Sequence, residues 1–220
     1  KFKNIINIHI QNPKTNFKHF NYIVAPEHDK ISGENVVSSI GALHRFNKNT
    51  FKDFFDGNFS LPKINLISVI IGGSNNHYNF SKREIKKLIM KIKNLKQNNP
   101  KYNFLIIFSR RTTNAVKSLI AEKLSDTCDI IKDSENNPYT YALKYSDFFI
   151  ITSDSTSMIS ECAITGNPIY IFYLSYKRKS QRMEKFHEQF HELNITKKLD
   201  NNNNLIPWSY NSLNESERIA

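Results

Sequence analysis

Apolar positions in this 220-residue chain come in short dense runs, separated by polar stretches rich in lysine and asparagine. In the first quarter the runs are Ile5 to Ile10 (IINIHI), Phe20 to Ala25 (FNYIVA) and Val36 to Leu43 (VVSSIGAL). Their length and β-branched content predict three strands, the first ended by Asn12-Pro13 and the second by Pro26. The spacing between them leaves little room for long helices. Asn47 to Lys63 is polar, holds Gly57 and Pro62, and reads as a linker between two lobes.

From Leu66 the rhythm becomes regular. Leu66 to Ile71, Phe104 to Phe108, Asp129 to Lys132, Phe148 to Ile151 and Ile169 to Tyr173 read as strands. Between them lie helical patterns. One has Ser81 and Glu84 as a capping box and Ile85, Leu88, Ile89, Ile92 and Leu95 at helical spacing to about Gln97. Others run through Leu119 to Leu124, from Pro138, from Thr156 to Ala163, and from Gln181 to Leu193. Continuous apolar strands alternating with helices predict a parallel, doubly wound α/β sheet buried on both faces. The organisation expected is a remnant lobe plus linker over 1–63, a second lobe over 64–195 and a tail over 196–220. The chain opens on a lysine almost directly in an apolar run, so a preceding segment is expected.

Lys+Arg number 31 against 20 Asp+Glu, a formal charge of +11. That balance suits a solvated surface or attraction to a polyanion, and by itself names no partner. RNP, zinc-finger and basic-zipper patterns and a compact arginine arm are missing from the sequence, which disfavours nucleic acid. Cys128 and Cys162 sit in apolar contexts and read as buried thiols of a reducing compartment. No apolar stretch approaches the ~20 residues of a membrane-spanning helix.

In doubly wound sheets ligands bind beyond the carboxyl ends of the strands, so the residues that follow each strand matter. After the first strand of the second lobe come Gly72, Gly73 and Ser74: glycines permit close backbone approach, and serine adds a hydroxyl. After the next come Ser109, Arg110, Arg111 and Thr112, whose guanidinium forks suit phosphate oxygens. After the fourth comes TSDSTSMISECAITGNP, where Ser153, Ser155, Thr156 and Ser157 crowd hydroxyls at a helix start. Glu161 lies one to two turns into that helix, within reach of the ribose of a nucleotide whose phosphates sit at its start. In the first lobe His28 lies between Glu27 and Asp29 after a strand, and His44-Arg45 follow another; a histidine beside carboxylates is a candidate general base. His187-Glu188-Gln189-Phe190-His191 matches the HExxH zinc pattern. The helix that carries it is expected on the outside of its lobe, away from the strand ends, and no third ligand is evident. The preferred reading is an amphipathic helix burying Met183, Phe186, Phe190 and Leu193, with no metal.

The strings QNP, YIVAPEHD, GENVVSSIGALHR, IGGS, SRRT, NPY and TSDSTSMISECAITGNP together resemble the family of the plant mitochondrial-fission protein "elongated mitochondria one", over roughly Ile8 to Leu193. Bacterial members of that family are labelled nucleoside-diphosphate-sugar epimerases. The resemblance implies a GT-B-like fold, with two Rossmann-like lobes of which the first is truncated here, and a nucleotide-diphosphate sugar as ligand. It implies that Gly72, Gly73 and Ser74 form a phosphate-contacting turn. Asn137, Tyr139 and Asp154 join the expected substrate-binding set with Ser109, Arg110, Arg111 and Thr156. Ser155, Ser157 and Glu161 correspond to donor-diphosphate and ribose positions, and His28 and Asp29 are the catalytic candidates. Glycosyl transfer or epimerisation of this type needs no metal or cofactor, because helix dipoles and basic side chains neutralise the leaving diphosphate. Envelope glycoconjugate metabolism is the expected setting, in the cytoplasm and peripherally on the inner face of the membrane. The alternative is a non-enzymatic adaptor whose basic surface meets anionic lipid.

Overall fold

The computed structural model describes residues 5–47, 53, 59–131, 138–200 and 204–220. Asn137, most of the expected linker and the end of the strand expected at Lys132 lie outside that set. The first strands, β1 (Ile8–Ile10), β2 (Tyr22–Pro26) and β3 (Val36–Ser39), form a parallel sheet in that order. The short connections hold only single 3-10 turns, Phe17–His19 and Glu27–Asp29. The third strand stops at Ser39, short of the expected Leu43, where Gly41 takes φ 71°.

The remaining elements are β4 (Leu66–Ile71), β5 (Tyr78–Asn79), α1 (Lys82–Asn98), β6 (Asn103–Phe108), α2 (Asn114–Leu124), β7 (Asp129–Ile130), α3 (Pro138–Tyr145), β8 (Phe148–Thr152), α4 (Thr156–Ala163), β9 (Ile169–Phe172), β10 (Ser175–Tyr176), α5 (Gln181–Glu192), β11 (Thr196–Lys198) and α6 (Glu215–Ile219). Six of the strands make a wholly parallel sheet in the order β11-β9-β8-β4-β6-β7. The chain starts in the middle at β4, winds out to β7, then returns to β8 and winds out the other way. This is the doubly wound α/β arrangement, and its direction reverses between β4 and β8.

The continuous apolar runs are explained by the two cores they feed. Ile67, Val69 and Ile71 of β4 meet Ile85, Leu88, Ile92 and Leu95 of α1 and Ile120 and Leu124 of α2. Leu66 and Ile70 point the other way, to Tyr141 of α3, Ile159 and Cys162 of α4, and Phe186 and Phe190 of α5. Ser81 and Ser155 cap α1 and α4 through the backbone N–H of Glu84 and Met158, so each helix begins where its hydroxyl stands.

Three features depart from the sequence reading. The stretch read as a tail supplies the edge strand β11, and its end returns to the first sheet as α6. There Glu215 accepts the Ile40 N–H at 2.7 Å, while Ser216 and Arg218 donate to the His44 and Ser38 carbonyls. Leu193 is exposed, and His187 takes the buried place expected for it. Finally, α5 does not lie away from the strand ends: it packs against the turn at Glu27–Asp29 and against the end of β8. Ile5, Ile6, Ile8, Ile10 and Tyr22 leave the face of the three-stranded sheet exposed. Among the described residues no helix is long and apolar enough to cross a membrane.

Candidate functional site

The reversal point brings the β4 turn and the β8 turn together. Thr152 Oγ1 accepts the Gly72 N–H at 2.8 Å and donates to Asp154 Oδ1 at 2.6 Å. Asp154 Oδ2 accepts the Gly73 N–H at 3.1 Å and Arg111 Nη2 at 2.6 Å. The Asp154 side chain is wholly buried, and Arg111 is about half exposed. Three donors thus converge on one carboxylate, which is what a buried charge requires. The two glycines follow from the same packing. A Cβ on Gly72 would overlap the Asp154 carboxyl atoms, and one on Gly73 would overlap the Arg111 carbonyl. Their N–H groups, expected to contact phosphate, are taken up inside the protein by Thr152 and Asp154. Of the turn, Ser74 is the residue left exposed, its Oγ accepting the Phe80 N–H at 2.9 Å.

On the β6 side, Thr112 Oγ1 lies 2.8 Å from both the Ile71 and Gly72 carbonyls, and Ser109 Oγ accepts the Arg111 N–H at 3.2 Å. These bonds tie the β6 turn to the β4 turn and leave Arg110 exposed at the edge. At the start of α4, Ser155 is buried as the cap, while Thr156 is partly exposed and Ser157 exposed. Ser153 faces inward: its Oγ accepts the Leu174 N–H at 3.0 Å and its carbonyl accepts from His187 Nε2 at 3.0 Å. Serine and arginine side chains from three strand ends therefore share one edge of the sheet.

One turn further along, Tyr139 of α3 donates its hydroxyl to Glu161 Oε2 at 2.6 Å. Burial pushes the Glu161 carboxyl up from its ordinary value, against the opposing pull of the Tyr139 hydroxyl and of Arg45. Burial likewise raises the Tyr139 phenol. Two of the expected site residues are thus joined to each other at the far end of the same edge.

His28 and Asp29 lie apart from this edge, in the wall of a cleft between the two sheets. The cleft holds about 540 Å³ and is lined by Gln11, Asn12, Lys14, His28, Asp29, Lys30, His77, Gln181 and Arg182. Asp29 does not serve His28 as a hydrogen-bond partner: its Oδ1 is 3.9 Å from His28 Nε2 and pairs with Arg182 of α5. His28 is 3% exposed, and neither ring nitrogen has a hydrogen-bond partner among the described residues. Burial, with Arg182 adding to it, brings its pKa down to about 4, so the ring is neutral at pH 7.

The HExxH histidines are occupied separately. His187 is brought down to about 4 by burial and bonds the Ser153 carbonyl, while His191 Nδ1 bonds the Thr196 carbonyl at 3.1 Å. Among the described residues no group of three or more His, Cys, Asp or Glu could hold a metal ion.

The sequence profile described as Mitochondrial fission ELM1 matches residues 1–220. An uncharacterized protein of Rickettsia prowazekii (strain Madrid E), RP120, is 31% identical over all of this chain, which spans 72% of that protein. The mitochondrial fission protein ELM1 of Arabidopsis thaliana is 23% identical over 99% of this chain, which spans only 57% of its length. Among solved structures, UDP-GlcNAc 2-epimerase from Neisseria meningitidis bound to UDP-GlcNAc is similar with a TM-score of 0.51 and 17% identity. The match covers 79% of this chain and 53% of the epimerase. That likeness, with the doubly wound sheet, fixes the fold as GT-B-like.

Proposed function

Since the chain belongs to the mitochondrial fission ELM1 family, we propose that it binds a nucleotide-activated sugar along the carboxyl edge of the six-stranded sheet. The observation that carries this reading is the convergence of Ser74, Arg110, Arg111, Thr156 and Ser157 beside the start of α4, at the point where the sheet reverses direction. Arg110 and the outward N–H groups of Arg111 meet the diphosphate, joined by the hydroxyls at the α4 start, where helix dipole and N–H groups favour an anion. Asp154 acts from behind as a positioning residue, fixing one arm of Arg111. Glu161 takes a ribose hydroxyl on Oε1, with Oε2 held by Tyr139. The neutral His28 ring, in the cleft wall on the acceptor side, is the candidate base for glycosyl transfer or epimerisation.

A second reading, a GT-B scaffold acting as an adaptor, is favoured by one observation. The Gly72 and Gly73 N–H groups and one Glu161 oxygen are already satisfied by the protein itself. Calorimetry of the chain against UDP, GDP, ADP and CMP separates the two. The enzyme reading expects one nucleotide to bind and Glu161→Ala to weaken it; unchanged affinity in that variant removes Glu161 from the site.

A further inference from the structure

The cleft between the two sheets carries cations that nucleotide binding at the sheet edge does not use. Arg182 is matched by Asp29. Lys14 and Lys30, on the same wall, have no carboxylate in ion-pair range among the described residues, and neither does Lys185 of α5. The ammonium of Lys185 stands beside that of Lys30 and holds it below the ordinary lysine value. Like charges so placed repel unless an anion lies between them.

The backbone of this wall is unusual too. Among the described residues five non-glycines have positive φ, and three of them are here: Gln11 at 82°, Lys14 at 53° and Lys30 at 54°. Left-handed backbone is strained for a residue with a side chain, and such strain gathers at binding sites. At the back of the cleft His28 is buried with both nitrogens unpartnered. Of the acidic residues of this region, Asp29 lines the cleft and is paired with Arg182, while Glu27, Glu188 and Glu192 line an adjoining recess of about 270 Å³ that also meets His28 and Lys185.

We propose that Lys14, Lys30 and Lys185 form a second anion site, which takes the phosphate or diphosphate ester of the acceptor. Flexible ammonium groups suit a phosphate approached from several sides, and the His28 ring supplies a hydrogen bond once the ligand is seated. Naming the ligand an acceptor rests on the transferase reading above; the anion site itself does not.

Titration with inorganic pyrophosphate, followed by calorimetry at low salt, tests it. Lys30→Asn keeps a residue that tolerates left-handed backbone, and Lys185→Gln is an exposed change on a helix, so the double variant should fold. In an Arg110→Ala background, which weakens the sheet-edge diphosphate site, pyrophosphate binding should persist, and it should weaken about tenfold or more when the two lysine substitutions are added, as expected when charge-assisted bonds are lost. Absence of pyrophosphate binding by Arg110→Ala, or no change on adding the lysine substitutions to it, would each overturn the proposal. Nucleotide titration of the same double variant keeps the two sites distinct. A chain that binds pyrophosphate through its lysines but no nucleotide refutes the sheet-edge reading and leaves this one standing. Vesicles of phosphatidylcholine with phosphatidic acid identify the source. Sedimentation with them that is lost in the double variant places the phosphate on a lipid. Pyrophosphate binding without sedimentation places it on a soluble ester.

Discussion

Replacing Gly72 by alanine puts a methyl group where the Asp154 carboxylate lies. Gly72 is not in the left-handed region, so its backbone tolerates the change and the cost is steric. The methyl can be admitted only if the carboxylate leaves the Gly73 N–H, the Thr152 hydroxyl and Arg111. Bonds to a charged group are worth about 1.5–3 kcal/mol each, and a buried charge stripped of its partner costs about 3–5 kcal/mol. Arg111 is half exposed and recovers water, which lowers the total. Gly72→Ala should therefore cost about 3–4 kcal/mol, read as a lower urea midpoint at unchanged slope. In an Asp154→Ala background the space is vacant, and the same methyl should cost less than about 1 kcal/mol, a coupling of about 2–3 kcal/mol. Additivity of the two changes to within about 0.5 kcal/mol would refute the carboxylate as the reason for the glycine.

Four other outcomes follow from the same geometry. Arg110→Ala should weaken nucleotide binding about tenfold without moving the melting temperature, since the side chain is exposed; calorimetry and thermal unfolding read the two together. His28 and His187 have folded pKa values near 4 against 6.5 when unfolded, so below pH 6.5 the unfolded chain binds more protons and stability falls. By pH 5 that loss is on the order of 2 kcal/mol per histidine, and urea melts of His187→Gln should show a shallower fall between pH 7.5 and pH 5. Glu161 runs the other way. Its raised pKa means stability is present below the ordinary carboxyl value and lost as pH rises through the folded one, and Tyr139→Phe, which removes an opposing pull, should move that loss to higher pH. Glu215→Ala should cost about 1–3 kcal/mol, by leaving the Ile40 N–H and Arg218 without their acceptor, and should free α6 to proteolysis.

The strands of the six-stranded sheet were legible because burial on both faces writes itself as an unbroken apolar run. LISVII at β4 is the clearest case. The edge elements carry no such mark. Strand β11 is Thr-Lys-Lys, polar because only one face is covered, with Ile195 and Leu199 at its borders as the available signal. Strands β5 and β10 are two residues each, and α6 is held by Glu215 rather than by an apolar stripe. The residues at the strand ends were found because topology alone places them together. The role of Asp154 was hidden, since its partners Gly73 and Arg111 lie 81 and 43 residues away in sequence. The charged residues of α5 suggest an outer position, whereas the helix packs against the turn at Glu27–Asp29. The pairing of Phe186 with His187, both buried beside His28, carried the signal that this helix faces the cleft.

The central claim is that a nucleotide occupies the carboxyl edge where the sheet reverses. Amide chemical-shift mapping of the labelled chain, with the nucleotide selected by calorimetry, tests it most directly. Shifts should concentrate at residues 74, 109–111 and 155–157, with Glu161 beyond them. Shifts confined to other surfaces, or no binding of any nucleotide by the folded chain, would contradict it.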